Sequence, residues 1–315
     1  MKNFWNKLPK PFFALAPMAD VTDAAFRRII AKYGKPDVMW TEFVACDGLQ
    51  SAGREHLMRD LSYTDEERPI VAQVFGANPE NFRKTAELVR ELGFDGIDIN
   101  MGCPEKNIEK QGAGASLIKD PSLAKEIIIA TKEGAKEIPV SVKTRIGYNK
   151  NELETWVPFL LETGIDALTI HARTRKEMSD VPARWEHIER AVQIRDEMRS
   201  KTLIIGNGDV KNVADGKVKA QQTGADGIMI GRGIFGNPWL FSERTEEASF
   251  QEKCAVLLEH AFLFEEIFGA TKNFSIMKKH FKAYVTGFDG AKELRVKLME
   301  TNGAKEVKRI IENRK

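Results

Sequence analysis

The stretch Gly93-Phe94-Asp95-Gly96-Ile97-Asp98-Ile99-Asn100 decides the architecture, because its opening occurs twice more. Gly164-Ile165-Asp166-Ala167-Leu168 and Gly224-Ala225-Asp226-Gly227-Ile228 repeat it. Each begins with a glycine able to end a helix at positive φ, continues with Asp and runs into an apolar strand. Working outward, strands are predicted over 12–18, 38–43, 70–76, 96–102, 139–147, 167–173, 202–209 and 227–233. The repeated turn precedes the fourth, sixth and eighth of these. Helical patterns over 81–92, 152–162, 185–198 and 213–223 lie between strands. In the first, Phe82, Ala86 and Val89 share a face, and Asn78-Pro79 supplies cap and first turn. A doubly wound open sheet could repeat such turns too. The count of eight β-then-α units in about 235 residues selects an α/β fold of the (β/α)8 TIM-barrel type.

After residue 241 the strand pattern stops. Helices are predicted over 249–268, 274–285, 292–299 and 304–313, beyond a polar connection at 242–248. The expected division is a catalytic barrel over 1–241 and a small, all-helical, basic C-terminal domain over 242–315. Net charge is only +2, but from Ala270 to Lys315 there are 12 Lys/Arg against 5 Asp/Glu, a net of +7 that leaves −5 for the rest. Such a tail suits a polyanionic partner; a lysine-rich solvated helix face accounts for it as well.

The 315 residues, 42% hydrophobic and 30% charged, have the composition of a soluble globular protein. No apolar run approaches a membrane span. The lysine-bearing start, 1–10, is followed by an apolar run broken by prolines and Asp20, so no signal peptide is read. Cys46, Cys103 and Cys254 stand far apart, with no CxxC and no Cys/His pair at ligand spacing. Neither a metal site nor a disulfide framework is indicated, and a reducing, cytoplasmic compartment is expected.

Barrel active sites gather at the C-terminal strand ends. There stand Ala16-Pro17-Met18, Gln73, Asn100 with Gly102-Cys103-Pro104, Lys143 and Arg145, His171 and Arg173, Gly206-Asn207-Gly208-Asp209, and Gly231-Arg232-Gly233. Burying so many polar groups without a ligand is costly; a large polar cofactor in the barrel mouth accounts for them together. The glycine pairs fall after strands seven and eight, where barrels hold phosphate on backbone N–H groups. Tight turns alone also use glycine. Lys143 and Arg145 alternate onto one side with Ser141. A lysine there suits an anionic or carbonyl-rich edge, unless it snorkels from a strand end. His171 alone reads as a satisfied core histidine; Arg173, facing the same way, makes it a site candidate. Cys103, on a turn between Gly102 and Pro104, can present its thiol as proton donor or nucleophile, although a lone cysteine also serves as a small buried apolar group. Cys46 and Cys254 have no such setting and read as structural.

In order, the segments Leu15–Met18 with Val21-Thr22-Asp23 and Phe26-Arg27, Ala72–Gly76, Asp98–Pro104, Gly112–Ala115, Val142–Gly147, His171–Thr174, Gly206–Asp209 and Gly231–Gly233 with Asn237-Pro238-Trp239 resemble the tRNA-dihydrouridine synthase family over nearly the whole chain. The resemblance implies an FMN in the barrel mouth. Ala16, Pro17, Met18 and Gln73 would border its ring, Lys143 would bond its polar edge beside His171, and Asn207, Gly208, Asp209, Gly231 and Arg232 would lie at its phosphate. It implies Cys103 as general acid, Asn100 as substrate-orienting residue, and Arg145, Arg173 and the basic helices as holders of a tRNA. NADPH would reduce FMN, which would pass hydride to uridine C6 while Cys103 protonates C5. The uridine must leave its stack to react. Ala172 departs from the glycine frequent in the family and bears on substrate fit alone. Two rival readings share features. A small-molecule FMN oxidoreductase of dihydroorotate dehydrogenase type would share the lysine and phosphate glycines without needing the +7 tail. A non-catalytic RNA-binding scaffold would need neither Cys103 nor Lys143.

Overall fold

The acids of the repeated turn each tie down the start of a neighbouring strand. Asp95 Oδ2 accepts the Ile70 N–H at 2.9 Å, Asp166 Oδ2 the Val140 N–H at 2.9 Å, and Asp226 Oδ2 the Ile204 N–H at 2.8 Å. Asp37, which no repeat in the sequence marked, does the same for Phe13 at 2.7 Å. Four such latches fasten alternate strands, which is why the motif recurs at every second one.

The computed structural model describes residues 3–269 and 271–313. Met1 and Lys2 of the N-terminal segment, and Ala270, Arg314 and Lys315 of the basic tail, lie outside the described residues. The strands are β1 (Phe12–Leu15), β2 (Met39–Trp40), β3 (Val44–Ala45), β4 (Ile70–Phe75), β5 (Gly96–Met101), β6 (Val140–Arg145), β7 (Ala167–His171), β8 (Leu203–Asn207) and β9 (Gly227–Ile230). All pair in parallel, in the order β1-β9-β8-β7-β6-β5-β4-β2, and β3 also pairs with β4. A bridge between Ala14 and Val38, with the Leu15 N–H on the Val38 carbonyl at 3.2 Å, closes the ring. The fold is a (β/α)8 barrel. Of the predicted second strand, 38–43, only β2 at 39–40 is strand, and β3 follows just beyond it at 44–45. There the Gln73 N–H bonds the Thr41 hydroxyl at 3.1 Å, so a side chain takes one backbone rung.

Around the ring stand α1 (Ala24–Tyr33), α2 (Cys46–Leu49), α3 (Arg54–Asp60), α4 (Pro79–Glu91), α5 (Lys106–Glu109), α6 (Pro121–Ala135), α7 (Leu153–Glu162), α8 (Glu186–Glu197) and α9 (Val213–Thr223). The C-terminal helices follow as α10 (Phe250–Phe268), α11 (Met277–Tyr284), α12 (Ala291–Met299) and α13 (Ala304–Glu312). A reciprocal Ser249–Glu252 capping box starts α10. These helices do not hang free of the barrel. Ala24, Ala25 and Ile29 of α1 share one apolar core with Val256, Leu257, Phe264 and Phe281.

Inside the barrel, the lower half is apolar. Trp5, from the segment before β1, packs there with Phe12, Trp40, Val71, Ala167, Ile205 and Met229. Two residues further along the strands the interior turns polar, and there the site is built.

Candidate active site

Strand register sets Gln73, Asp98 and Ser141 side by side across β4, β5 and β6. All three are buried. Gln73 Nε2 donates to Asp98 Oδ2 at 2.7 Å, and Ser141 Oγ to Asp98 Oδ1 at 2.6 Å. Burial pushes the Asp98 carboxyl up to about 6, against the lowering pull of these donors. Asp98 is a member of the site that sequence reading passed over, although its alternation with Asn100 placed both on the same face.

One rung higher, Asn100, Lys143 and Thr169 stand in register. The Lys143 ammonium donates to Asn207 Oδ1 at 3.3 Å, and Asn207 Nδ2 donates to the Met229 carbonyl at 2.9 Å. Lys143 keeps some exposure through the mouth, yet its surroundings are dry enough that burial, helped by the nearby Arg145 charge, lowers its pKa to about 8. The buried Thr169 hydroxyl on the next strand has no hydrogen-bond partner among the described residues.

The two arginines are braced by the protein itself. Arg145 donates through Nε to the Gly102 carbonyl at 2.9 Å and through Nη1 to the Thr174 and Met178 carbonyls, both at 3.0 Å. Arg173 donates to the Val181 carbonyl at 2.6 Å, reaches Asp209 through Nη2, and sets Nη1 3.0 Å from His171 Nε2. Burial and the surrounding Arg145, Lys143 and Arg173 charges hold His171 well below its usual pKa. It is therefore neutral. Facing a guanidinium, Nε2 presents its lone pair and Nδ1 carries the proton. Asp209 also receives Arg232 at 2.8 Å and the Ala183 N–H at 2.9 Å. Arg173 holds its carboxyl below the usual range.

Cys103 sits half-buried on the turn after β5. Asn100 Oδ1 accepts its N–H at 2.9 Å and that of Gly102 at 3.1 Å, while Asn100 Nδ2 donates to Gln73 Oε1 at 3.0 Å. Burial raises the thiol pKa above its ordinary value, so Cys103 is a protonated thiol at neutral pH. Cys46 and Cys254 are buried.

The structure gathers Ala16, Pro17, Met18, Lys143, His171, Arg173, Asn207, Gly208, Asp209, Gly231 and Arg232 into the wall of one cleft, joined by Ser179 and Val210, which sequence reading missed. Gln73, Asn100, Cys103 and Arg145 are not in that wall; hydrogen bonds tie them into the strands and turn beside it. The glycine pairs divide. Gly208, at φ +124°, and Gly231 line the cleft. Gly206 instead makes room for the Trp185 ring, 2.4 Å from where a Cβ would stand, and Gly233 for the Val210 and Lys211 carbonyls at 2.8 and 2.7 Å.

A family model described as dihydrouridine synthase (Dus) matches residues 14–314. The chain belongs to the dihydrouridine synthase family. As a dihydrouridine synthase family member it is an oxidoreductase, and the match spans barrel and C-terminal helices alike. The "Probable tRNA-dihydrouridine synthase 2" of Bacillus subtilis (strain 168) is 44% identical, covering 99% of this chain and 96% of that one. The "Probable tRNA-dihydrouridine synthase" of Staphylococcus aureus (strain COL) is 43% identical over 99% and 95%. Two solved structures share the fold at 13% identity. Histamine dehydrogenase from Rhizobium sp. 4-9 has a TM-score of 0.54 over 80% of this chain and 48% of its own. The 6-hydroxypseudooxynicotine amine oxidase of Pseudomonas geniculata N1 has 0.56 over 73% and 46%. Among the described residues, no helix is long and apolar enough to cross a membrane, and no cluster of acidic, His or Cys side chains could hold a metal ion.

Proposed function

We propose that this dihydrouridine synthase acts on tRNA in the cytoplasm, using FMN and NADPH to reduce the C5–C6 double bond of uridines. Its relatives at 43–44% identity carry that substrate in their names. The observation that carries the cofactor assignment is Lys143: a cation with a single polar partner, on the wall of a cleft that also holds His171 and Arg232.

FMN fits these residues. The Lys143 ammonium, on the cleft wall, suits a carbonyl-rich ring edge. Gly231 lines the cleft, and a Cβ there would sit 3.6 Å from both Ala16 Cβ and Met18 Sδ, in the space a phosphate would approach. Ala16, Pro17 and Met18 border the ring in this reading, with His171 beside it, and Gln73 acts from behind the wall through its hydrogen bond to Asn100. Asn207, Gly208, Gly231 and Arg232 hold the phosphate. Asp209, itself an anion, belongs to this set through its grip on Arg232. Bound FMN supplies the hydride for uridine C6, with NADPH as the source of electrons.

The chain's own residues do the rest. Cys103, held protonated, gives its proton to C5. Asn100 fixes the Cys103 turn from one side and Arg145 from the other, and Asn100 also borders the substrate. Arg145 and Arg173 are held by carbonyls and side chains of the protein, and toward tRNA they contribute positive potential. Residues 242–315 form the tRNA-binding domain, through backbone contacts that weaken with salt.

The test is nucleoside mass spectrometry of tRNA lacking dihydrouridine, incubated with protein, FMN and NADPH beside a Cys103→Ala control. Dihydrouridine from the wild type alone is expected. A flavin-loaded protein that makes none would point instead to a small-molecule flavoenzyme.

A further inference from the structure

Four side chains in the barrel form an unbroken line of hydrogen bonds: Ser141 to Asp98, Asp98 to Gln73, Gln73 to Asn100, and Asn100 to the backbone of Gly102 and Cys103. We propose that Asp98 is a positioning residue that, through Gln73 and Asn100, fixes the turn presenting Cys103. The interest of this line rests on the reading of Cys103 as proton donor given above.

The argument is one of hydrogen-bond sense. An amide side chain can be turned end for end, and what surrounds it decides which end is which. Here both ends of the line are unambiguous. The Gly102 and Cys103 N–H groups can only donate, so the Asn100 oxygen faces them at 3.1 and 2.9 Å. Its NH2 group then faces the Gln73 oxygen at 3.0 Å, which turns the Gln73 NH2 toward Asp98 at 2.7 Å. An ionised carboxylate can only accept, so read from the other end the line has the same sense. An apolar group at 98 would leave Gln73 free to turn, and Asn100 would lose the partner that orients it. Gln73 and Asp98 are fully buried and Asn100 is 6% exposed, so water does not stand in readily for a lost link.

Among the described residues Asp98 makes its hydrogen bonds to Gln73 and Ser141, neither of them in the cleft wall, so activity alone would not separate positioning from general support. The thiol itself can be read. Cys46 and Cys254 are 0% and 6% exposed, which leaves Cys103 as the cysteine open to a small alkylating reagent. The full-length protein as purified is treated with iodoacetamide at neutral pH, and Cys103 modification is followed by peptide mass spectrometry. Asp98→Leu should alkylate about two- to tenfold faster than wild type, the factor expected when one buried hydrogen bond holding the turn is lost. Asp98→Asn should stay near the wild-type rate, because its oxygen still accepts from Gln73 while its NH2 donates to Ser141. Asn100→Ala should match Asp98→Leu, and the double variant should be no faster than either single one, since both cut one line. If Asp98→Leu does not fold, Gln73→Leu cuts the same line one link on and takes its place.

Equal rates for Asp98→Leu and wild type, or additive effects of the Asp98 and Asn100 substitutions, would overturn the assignment. So would an Asp98→Asn variant as fast as Asp98→Leu. Dihydrouridine formation is measured in parallel. A thiol response in a protein that makes no dihydrouridine keeps the role of Asp98 and removes the functional reading; normal wild-type product with no thiol response in the variants does the reverse.

Discussion

The lower and upper halves of the barrel interior are built by the same strands and obey opposite rules. On β4, Val71 packs in the apolar half and Gln73, two residues on, in the polar one; on β7, Ala167 gives way to Thr169 and His171; on β8, Ile205 gives way to Asn207. The lower half, centred on Trp5, Phe12 and Trp40, is filled by packed apolar side chains and contributes stability. The upper half holds Asp98, Lys143, Arg145 and His171, each with a pKa moved by burial. Burying charge costs free energy, so this half is destabilising until a complementary ligand arrives. One end of the barrel is made to be stable and the other to bind.

That contrast can be broken most severely at Cys103. Cys103→Ala should lower base reduction by about 10²- to 10⁴-fold, the usual contribution of a positioned general acid. It should leave the thermal midpoint unmoved, because the side chain is only half-buried. Calorimetry beside the nucleoside assay reads both. In the apolar half, Phe12→Ala should cost about 3–5 kcal/mol of stability in denaturant titration, because the ring is fully buried and lies over Gly227. Its protein that remains folded should bind FMN as the wild type does.

Lys143→Met inverts that pattern. Removing a desolvated cation should leave the unfolding midpoint unchanged or higher, while FMN affinity measured by flavin fluorescence falls by about 1.5–3 kcal/mol, the value of a hydrogen bond to a charged group. The wild type should show the same dependence through pH. Lys143 without cofactor is protonated below about 8, and an anionic ligand favours that form. Affinity should therefore be full below pH 8 and fall as pH rises beyond it, by at most about tenfold per unit. A flat profile from pH 7 to 10 would separate Lys143 from the cofactor.

The glycines provide the finest comparison. Gly206→Ala drives a methyl into Trp185 and should destabilise by about 1–3 kcal/mol, as overpacking does. Gly231→Ala, with nothing within 3.6 Å of its new Cβ, should melt as the wild type does. Any effect should appear in FMN affinity alone.

What the sequence by itself determined follows from local periodicity. Period-2 alternation placed Ser141, Lys143 and Arg145 on one face, the alternation of apolar and amphipathic segments gave eight units, and the Gly-x-Asp turns marked three of their strands. Those features depend on neighbours along the chain and survive without knowledge of the fold. The ordered motifs then carried the family, which the match over 14–314 shows.

Tertiary structure decided everything that depends on a partner distant in sequence. Gly206 and Gly208 read alike in the chain, yet Trp185 fills the space beside one while the other lines the cleft. Arg145 and Arg173 read only as cations suited to a tRNA; that carbonyls at Gly102, Thr174, Met178 and Val181 hold them is seen in the fold alone. The strand expected over 38–43 stops at Trp40, and beyond it the Thr41 hydroxyl, not a backbone carbonyl, accepts the Gln73 N–H of β4. Asp98 looked like one more strand residue, and only register across three strands showed it between Gln73 and Ser141. Periodicity states which face a side chain takes; which group it meets there is set by register and loop packing, and hydrogen bonds and pKa shifts arise only from that meeting.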